Sequence, residues 1–367
     1  MTRRLPTIDD VARVAGVGKG TASRVINGSP NVSDGTRQRV LAAIDELNFR
    51  PSSMARRLSK RASSRQIGVL ESFITAPAFI DRLRGIQEVI EGESEFDLLL
   101  FSCRTPERYE PSLARITEQR SVEALIVADL KISERQAAAL AQAHIAAVSL
   151  SGVRGPVPFI GTDDVHGAYV ATRHLIELGH RKIGYVGDAF PDAFGFTTGR
   201  DRFDGFGKAM REAGLTIEES WVAFGRHDRS EAIALGTQVL DRADRPTAVF
   251  VMADLLAFGC MTAAHNLGLR VPDDVSIIGF DDIDVSAHVG LTTVRQHLTE
   301  SGRVAAHYLL SLLHGDRKAS LAKLPPVELV IRRTTSAPSR RRRETTRTTT
   351  SNARTSIQMR RYENDES

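Results

Sequence analysis

A short segment near the N-terminus places hydrogen-bonding groups on one side of a predicted helix. Within residues 18–26, Ala22, Val25 and Ile26 share an apolar face. The other face carries Lys19, Gly20, Thr21, Ser23 and Arg24. Ammonium, guanidinium and hydroxyl groups in this arrangement can donate hydrogen bonds to the base edges and phosphates of duplex DNA.

The residues before this helix predict another short helix, folded tightly against it. Thr7 stands at an N-cap position with Asp10 three residues on, a variant of the capping box, so this helix begins at about Ile8. Gly16 supplies the left-handed conformation of a sharp turn. The pair indicates a helix-turn-helix, whose second helix reaches base edges at its N-terminal end. The residues assigned to base readout are Lys19, Gly20 and Arg24, and those assigned to phosphates are Thr7, Thr21, Ser23 and Asn27.

A third helix and a polar segment follow. Ser33 is the predicted cap of the helix, and its apolar stripe is Val40, Leu41, Ile44 and Leu47. Residues 51–65 are rich in cations and too polar for a core of their own. They are either a flexible linker or a helix that forms only on DNA, with Leu58 wedged between base steps in the minor groove.

Basic residues are concentrated in the N-terminal part of the chain. Residues 1–65 contain 13 Lys and Arg against 5 Asp and Glu, whereas residues 66–338 contain 28 against 36. Residues 339–367 contain 8 against 4 and are low in complexity, which predicts a disordered basic tail. A basic head on an acidic body indicates that one end of the protein meets a polyanion.

Beyond residue 66, short apolar runs alternate with stretches of helical length. The runs of a first series are 67–70, 97–101, 124–127 and 145–148, and those of a second series are 182–186, a strand around Trp221, 248–252 and 275–278. Continuous hydrophobicity predicts parallel strands covered on both faces. The fold class is therefore α/β: an all-α helix-turn-helix headpiece followed by a doubly wound parallel-sheet body in two subdomains.

Ligands of such sheets bind at the carboxyl ends of the strands, so the loops there are the candidate site. The loop residues with suitable chemistry are Phe79, Arg202, Asp254 and Asp281. One arginine with several carboxylates and an aromatic ring suits a small polyhydroxylated molecule in a cleft between the subdomains. The alternative is that Asp254 and Asp281 only cap helices.

The N-terminal residues resemble the headpiece and hinge of the lactose/galactose repressor family of bacterial transcription regulators. The similarity lies in 7–12, 15–17, 21–28, 32–33, 36–40 and 50–58, and it continues to about residue 337. It implies a pair of minor-groove hinge helices, with Ala55 and Arg56 at the DNA and Leu58 as the lever. Gly18 replaces the usual Ser, and Gly20 lacks a side chain at a usual specificity position, so Lys19 and Arg24 carry more of the recognition.

The same resemblance implies roles in the body. Arg202 and Asp281 match effector-binding positions, Phe79 matches an aromatic residue of the cleft, and Asp254 matches the Asp of an Asn-Asp pair. The usual partners are missing, since Ala253, Ala76 and Ala78 stand in their places. The effector is therefore either not a standard hexose or is held by other groups, such as Asp163 and His227, although a plain surface histidine is the simpler interpretation of His227.

Other chemistry finds little support in the sequence. Cys103 and Cys260 lie on apolar runs without metal spacing, which predicts buried thiols in a reducing compartment. No phosphate-binding loop, catalytic pair, signal peptide or membrane-length apolar run is present, so we expect no cofactor, metal, catalytic residue or membrane contact. The expected protein is cytoplasmic and nucleoid-associated.

The segments together favour a DNA-binding repressor controlled by a small molecule, with a carbohydrate expected. Such headpieces bind two half-sites as a pair related by a two-fold axis, so we expect a homodimer on a pseudo-palindromic operator. A periplasmic sugar receptor would give residues 1–65 no role. An enzyme would need a nucleophile with a base, and the sequence shows no such pair. The predicted domains are 1–50 (headpiece), 51–65 (hinge), 66–338 (body) and 339–367 (tail), the body dividing into 66–165 with 293–325 and 166–292 with 326–338.

Overall fold

A computed structural model of the chain describes residues 6–26, 29, 31–47, 65–151, 154–191 and 194–339. The predicted hinge contacts Ala55, Arg56 and Leu58 lie outside the described residues, as do Asn27 and the tail from residue 340.

Three helices form the N-terminal module. They are α1 (Ile8–Val14), α2 (Lys19–Ile26) and α3 (Asp34–Glu46). Thr7 caps α1 through a capping box, because its hydroxyl accepts from the Asp10 N–H and its own N–H donates to Asp10 Oδ2 at 2.9 Å. Gly16 has a φ of 63°, as the predicted sharp turn requires.

A small apolar core holds these helices together. Its buried members are Val11, Ala12, Ala15, Ala22, Val25, Val40 and Ala43. The prediction for Leu41 was wrong, since its side chain is 48% exposed and Ala43 is buried instead. Leu41 lies about 100° around the helix from Val40, outside a stripe that runs at intervals of three and four residues. Ile26, predicted to face inward, is half-buried.

The chain forms two compact units and passes from one to the other several times. Unit 1 consists of Met1–Asp163, Phe190–Arg200 and Arg295–Val327, and unit 2 of Asp164–Ala189, Asp201–Val294 and Glu328–Ser367. The sequence had placed Phe190–Arg200 in the second subdomain. Phe194 and Phe196 of this segment pack instead on the core of unit 1.

Unit 1 contains a parallel sheet in the order β2-β1-β3-β4-β5. The strands are β1 (Arg65–Glu71), β2 (Phe96–Ser102), β3 (Ala124–Ala128), β4 (Ala146–Leu150) and β5 (Phe159–Ile160). The helices are α4 (Pro77–Ile90), α5 (Pro106–Gln119), α6 (Glu134–Gln142) and α12 (Leu298–Leu313). Separate apolar clusters cover the two faces, one with α4 and α12 and one with α5 and α6, so the predicted doubly wound sheet is confirmed.

Unit 2 repeats this arrangement with the strand order β7-β6-β8-β9. The strands are β6 (Ile183–Asp188), β7 (Val222–Gly225), β8 (Ala248–Val251) and β9 (Ser276–Ile278). The helices are α7 (Asp164–Glu177), α8 (Thr198–Glu212), α9 (Arg229–Leu240), α10 (Asp254–Asn266) and α11 (Asp284–Val289). Trp221 lies in a short 3-10 turn before β7 instead of in the strand. Two short strands, β10 (Thr293–Arg295) and β11 (Glu328–Val330), lie where the chain passes between the units.

Glycine allows a close approach of α4 and α12. A Cβ at Gly85 would overlap the backbone carbonyl of Thr299, and one at Gly302 would overlap the carbonyl of Arg82. The two helices therefore pack backbone against backbone, which fixes the position of Arg82 beside the sheet.

Candidate functional site

The outer face of α2 is open to solvent. Lys19, Gly20 and Arg24 are exposed, whereas Thr21 and Ser23 are half-buried. Lys19 Nζ lies 3.0 Å from Asp9 Oδ2, and Arg24 Nε donates to the Gly20 carbonyl at 3.3 Å. A Cβ at Gly20 would meet no atom within 4 Å, so packing within the module does not require glycine there.

Thr7 has a defined structural role in the same module. Its hydroxyl donates to Asp10 Oδ2 at 2.7 Å, and these contacts hold the pKa of Asp10 below its usual range. The hydroxyl proton is thus engaged in capping α1. A phosphate contact by Thr7, which the sequence predicted, would have to compete with this bond.

In unit 2, a buried arginine joins residues that follow two of the strands. Strand order reverses between β6 and β8, and a crevice at the carboxyl ends of strands flanking such a point is the usual ligand site of open parallel sheets. Arg202 on α8 is 5% exposed and donates to the Met252 carbonyl just after β8. Its Nη1 lies 3.3 Å from Asp281 Oδ1, and the guanidinium stacks 3.8 Å from the centre of the Phe280 ring.

The partner of Arg202 Nε is Asp164, at 2.8 Å. The sequence had assigned this region to Asp163, which is exposed. Asp164 is the first residue of α7, and a carboxylate there is favoured by the helix dipole. The contact of Asp163 with an effector stays a prediction.

Asp281 and Asp282 have unusual backbone conformations. Their φ angles are 129° and 58°, in a region of backbone conformation that residues other than glycine rarely adopt. Asp282 Oδ1 accepts from Arg332 Nη2 at 2.6 Å, and the Asp281 N–H donates to the Val294 carbonyl at 2.8 Å. Strain held in place by surrounding bonds is typical of functional loops.

Asp254 is hydrogen-bonded to the residues that follow this loop. It is fully buried, and its carboxylate accepts from Ser286 Oγ and Thr293 Oγ1 at 2.6 Å each and from the Ile283 N–H at 3.2 Å. Burial, and then the charge of Asp281, raise the pKa of Asp254 to about 8. Both oxygens tie β10 and the loop of Asp281 together, and the contact of Asp254 with an effector stays a prediction.

His227 is another polar residue near the strand ends of unit 2. Its Nδ1 lies 3.0 Å from Asp188 Oδ2, at the end of β6. Burial lowers the pKa of His227, but the charge and hydrogen bond of Asp188 outweigh it and raise the pKa overall. His227 is therefore hydrogen-bonded to a carboxylate at a strand end and is not an isolated surface residue. The sequence did not indicate Asp188.

Phe79 lies in the hydrophobic core of unit 1. Its side chain is 1% exposed and packs among the apolar residues under α4 and α12. The ring is closed off from solvent, and its contact with a ligand stays a prediction. The aromatic residue exposed near this strand end is Phe73, at 45%.

Unit 1 has its own polar set at the carboxyl end of its sheet, which the sequence did not reveal. Glu71 is the last residue of β1, and Asp129 directly follows β3. Arg82 on α4 lies 3.7 Å from Asp129 and donates to Gln296 Oε1 at 3.3 Å. The order of the strands reverses between β1 and β3, so this set also lies at a switch point.

Both cysteines are buried, as the sequence predicted. Burial raises the pKa of Cys103 to about 11 and that of Cys260 to about 12, so neither is a thiolate at neutral pH. Within the described residues, no helix is long and apolar enough to span a membrane.

Comparison with known proteins agrees with this arrangement of parts. The family model for bacterial regulatory proteins of the lacI family matches residues 7–52, and that for periplasmic binding protein-like domains matches residues 172–335. The HTH-type transcriptional repressor PurR of Photobacterium profundum is 33% identical over 336 residues, which cover 90% of this chain and 98% of that repressor.

Solved structures show the same fold. The lac repressor dimer bound to operator and the anti-inducer ONPF is 28% identical, with a TM-score of 0.68, and the match covers 91% of this chain and 100% of that one. A LacI family regulator from Enterococcus faecium with bound ribose is also 28% identical, with a TM-score of 0.66 over 75% of this chain and 100% of its own.

The chain belongs to the lacI family of bacterial regulatory proteins. It is a DNA-binding transcriptional regulator with a helix-turn-helix headpiece and a periplasmic-binding-protein-like domain for an effector, as the resemblance in the sequence implied.

Proposed function

We propose that the protein is a repressor whose affinity for operator DNA is set by a small hydroxylated effector bound at the carboxyl ends of the sheet of unit 2. The observation that carries this proposal is the buried Arg202, which binds Asp164, Asp281 and the end of β8 beside a strained loop. Related regulators have been solved with cellobiose and with ribose, which supports a sugar.

At the DNA end, α2 lies in the major groove in this proposal. Lys19 and Arg24 read base edges, the bare Gly20 allows close approach, and Thr21 and Ser23 bind phosphates. Exposure of the long cationic side chains on a module with its own core supports these roles. The hinge contacts of Ala55, Arg56 and Leu58 and the contact of Asn27 stay predictions.

We propose a homodimer on a pseudo-palindromic operator, acting in the cytoplasm at the nucleoid. The lac repressor structure with 28% identity is a dimer bound to operator, which supports this assembly. Two headpieces related by a two-fold axis read two half-sites, and the spacing of those half-sites mirrors the spacing of the headpieces.

The effector acts through a difference in affinity between two conformations. Arg202 and Asp281 are already bonded to each other, so a sugar hydroxyl that bridges them adds to an existing network and stabilises the conformation in which the network is complete. Asp188 and His227, at the neighbouring strand end, supply a further acceptor and donor.

We also propose that the protein catalyses no reaction. Its characterised relatives are transcriptional repressors. Both thiols are buried, and the one His–carboxylate pair described at the strand ends of unit 2, His227 with Asp188, has no nucleophile among the hydrogen-bond partners described for it. Conversion of a sugar or nucleoside by the purified chain would contradict this point.

The test is the response of operator binding to sugars in an Arg202→Lys variant. Lysine keeps the positive charge among the carboxylates but loses the planar fork that binds two of them and the carbonyl at once. We expect the variant to bind operator DNA with unchanged affinity and to lose the sugar response. A retained response would move the effector site away from Arg202. Arg226→Lys, at an exposed pair with Glu231, is the matched control and should keep the response.

A further inference from the structure

A histidine and two carboxylates meet at the amino end of the sheet of unit 1. Glu93 and Glu95 lie in the turn between α4 and β2, and His314 directly follows α12. His314 Nε2 lies 3.9 Å from Glu93 Oε2 and 3.8 Å from Glu95 Oε1. These three atoms all lie within 4.8 Å of one another, and no other group of three His, Cys, Asp or Glu residues in the described part of the chain does so.

The three atoms face one another without being bonded to one another. Both distances from the imidazole nitrogen of His314 exceed the limit of a hydrogen bond. Around a tetrahedral zinc ion, nitrogen and oxygen ligands lie about 2.0–2.2 Å from the metal and therefore about 3.4 Å from one another. Small rotations of partly exposed side chains would bring the three atoms to this spacing.

Backbone hydrogen bonds hold the segments that carry these side chains. The Glu93 carbonyl accepts from the Phe96 N–H at 3.1 Å, and the Glu95 carbonyl accepts from the Arg65 N–H at 2.7 Å. The His314 N–H donates to a carbonyl of the last turn of α12 at 2.9 Å. The backbone therefore already places the three side chains together, as a preorganised site requires.

Arg65 orients the carboxylate of Glu95. Its Nη1 lies 3.3 Å from Glu95 Oε2, so this oxygen is engaged and Oε1 is left on the side of His314. Arg65 is itself held, because it donates to Glu123 Oε2 at 2.7 Å and its guanidinium lies 4.6 Å from the centre of the Phe96 ring. A hydrogen bond to the other oxygen of a ligating carboxylate is the usual support of a metal site.

Negative charge is in excess at this place. Glu93, Glu95 and Glu123 surround the single guanidinium of Arg65. Within the described residues, His314 is the one ion-pair partner of Glu93, and it lies beyond hydrogen-bond distance. A divalent cation between the three side chains would offset the repulsion of the two carboxylates, and the neutral imidazole would supply a third ligand.

The mixture of ligands indicates the class of metal. Mg²⁺ and Ca²⁺ are bound by oxygen atoms, and Ca²⁺ takes six to eight of them. An imidazole nitrogen with a few carboxylate oxygens suits zinc and the neighbouring divalent transition metals. No metal was expected from the sequence, because these ligands come from segments that lie far apart in the chain and show no metal spacing.

We propose that Glu93, Glu95 and His314 bind one divalent transition-metal ion of the zinc class, which joins the end of α12 to the turn before β2. The site lies at the amino end of the sheet, where β1 and β2 begin, whereas ligands of such sheets bind at the carboxyl end. Metal binding here is therefore separate from the proposed effector response and does not depend on it.

The experiment is equilibrium dialysis of the untagged full-length protein against zinc chloride, together with thermal denaturation. We expect saturable binding of about one Zn²⁺ per chain and an increase in Tm with Zn²⁺, because a ligand of the native state stabilises it. Magnesium chloride at the same concentration should give neither effect. The absence of saturable Zn²⁺ binding would overturn the proposal, and so would equal binding of Mg²⁺.

Variants locate the bound ion. His314→Ala and Glu93→Gln should each lose the bound Zn²⁺ and the increase in Tm. His307→Ala, at an exposed position of α12, and Glu91→Gln, at an exposed position just after α4, are the matched controls and should keep both. Retention of the bound ion in His314→Ala and in Glu93→Gln would place it elsewhere and contradict the site.

A second measurement needs no variant. Co²⁺ bound in place of Zn²⁺ reports its ligands in the visible and near-ultraviolet spectrum of the wild-type protein. We expect bands of a site with nitrogen and oxygen ligands and no charge-transfer band from a thiolate, since both cysteines are buried away from this cluster in apolar surroundings. A thiolate band would assign the ion to a cysteine and overturn the proposal.

Discussion

Arg202 Nη1 and Asp281 Oδ1 lie 3.3 Å apart, and both side chains are almost completely buried. The sequence assigned each of them separately to an effector. In the structure they are bonded to each other, and Asp164 binds the same guanidinium at 2.8 Å. The groups proposed to bind the effector are thus also a part of the fold, so their removal should affect stability as well as ligand response.

Replacement of Arg202 by Ala should therefore destabilise the protein. It leaves Asp164 and Asp281 in a buried environment without their counter-charge, and we expect the free energy of unfolding to fall by about 3–5 kcal/mol. Urea denaturation measures this change. Arg226→Ala, which breaks the ion pair of a largely exposed arginine with Glu231, should change the free energy by less than about 1 kcal/mol. Equal effects of the two substitutions would contradict the role of Arg202 as a buried bridge.

Asp254 should make stability depend on pH. Its pKa is raised to about 8 in the folded protein, above the value of an unfolded chain, so the native state binds one proton more than the unfolded state between about pH 4 and about pH 8. The free energy of unfolding should fall as the pH rises through this window, because the unfolded chain has already released the proton that the native state still holds.

Substitution of Asp254 by Asn isolates this contribution. Urea denaturation at several pH values from about 5 to about 7 should give a shallower fall for the variant than for the wild type, since Asn cannot take up the proton. The comparison of slopes removes the contribution of other groups, including Glu71. Parallel slopes for the two proteins would show that Asp254 is ionised in the fold.

Gly85→Ala should destabilise unit 1. A methyl group there would overlap the Thr299 carbonyl where α4 and α12 approach each other, and the helices would have to move apart at a cost of about 1–3 kcal/mol. Gly207→Ala on α8 is the matched control, because the nearest atom to the added Cβ is Ile217 Cδ1 at 3.7 Å. That substitution should be neutral or stabilising by up to about 1 kcal/mol, since Ala favours a helix. Chemical denaturation of both variants decides the matter, and a stable Gly85→Ala protein would contradict the close packing.

Lys19→Ala should relax base preference at one position in each half-site, with a loss of about 1–3 kcal/mol against the preferred base. Its ion pair with Asp9 holds the ammonium near the start of α2, so Asp9→Asn should weaken the same preference to a smaller extent. Competition with operator variants measures this. Arg39→Ala removes an equal charge from α3 at an exposed position and should weaken all sequences alike. If Lys19→Ala also weakens all sequences alike, Lys19 binds a phosphate.

Local patterns in the sequence were sufficient for most of the fold. The turn at Gly16 and the strands at Ile67 and Phe250 were predicted because a left-handed glycine and continuous apolar runs have few alternatives. Leu41 was assigned wrongly to the buried stripe, because its hydrophobicity was given more weight than its angle around the helix. The strand predicted around Trp221 begins one residue later, at Val222, because Trp221 ends a 3-10 turn.

The candidate site was less accessible from sequence, because it depends on which side chains meet across strand ends. The sequence did not indicate Asp164, because two adjacent aspartates look alike in the chain. It did not indicate Arg82 either, because the burial of Arg82 depends on the close contact of α4 with α12. Glu71 gave one signal that could have been used, an acidic residue directly at the end of a fully buried strand.

The headpiece should provide the sequence-selective contacts with DNA. Selection from a random duplex pool with the full-length protein and with a chain that lacks residues 1–65 tests this role. We expect the full-length protein to enrich an inverted repeat and the shortened chain to enrich no sequence. Enrichment of the same repeat by the shortened chain would contradict it.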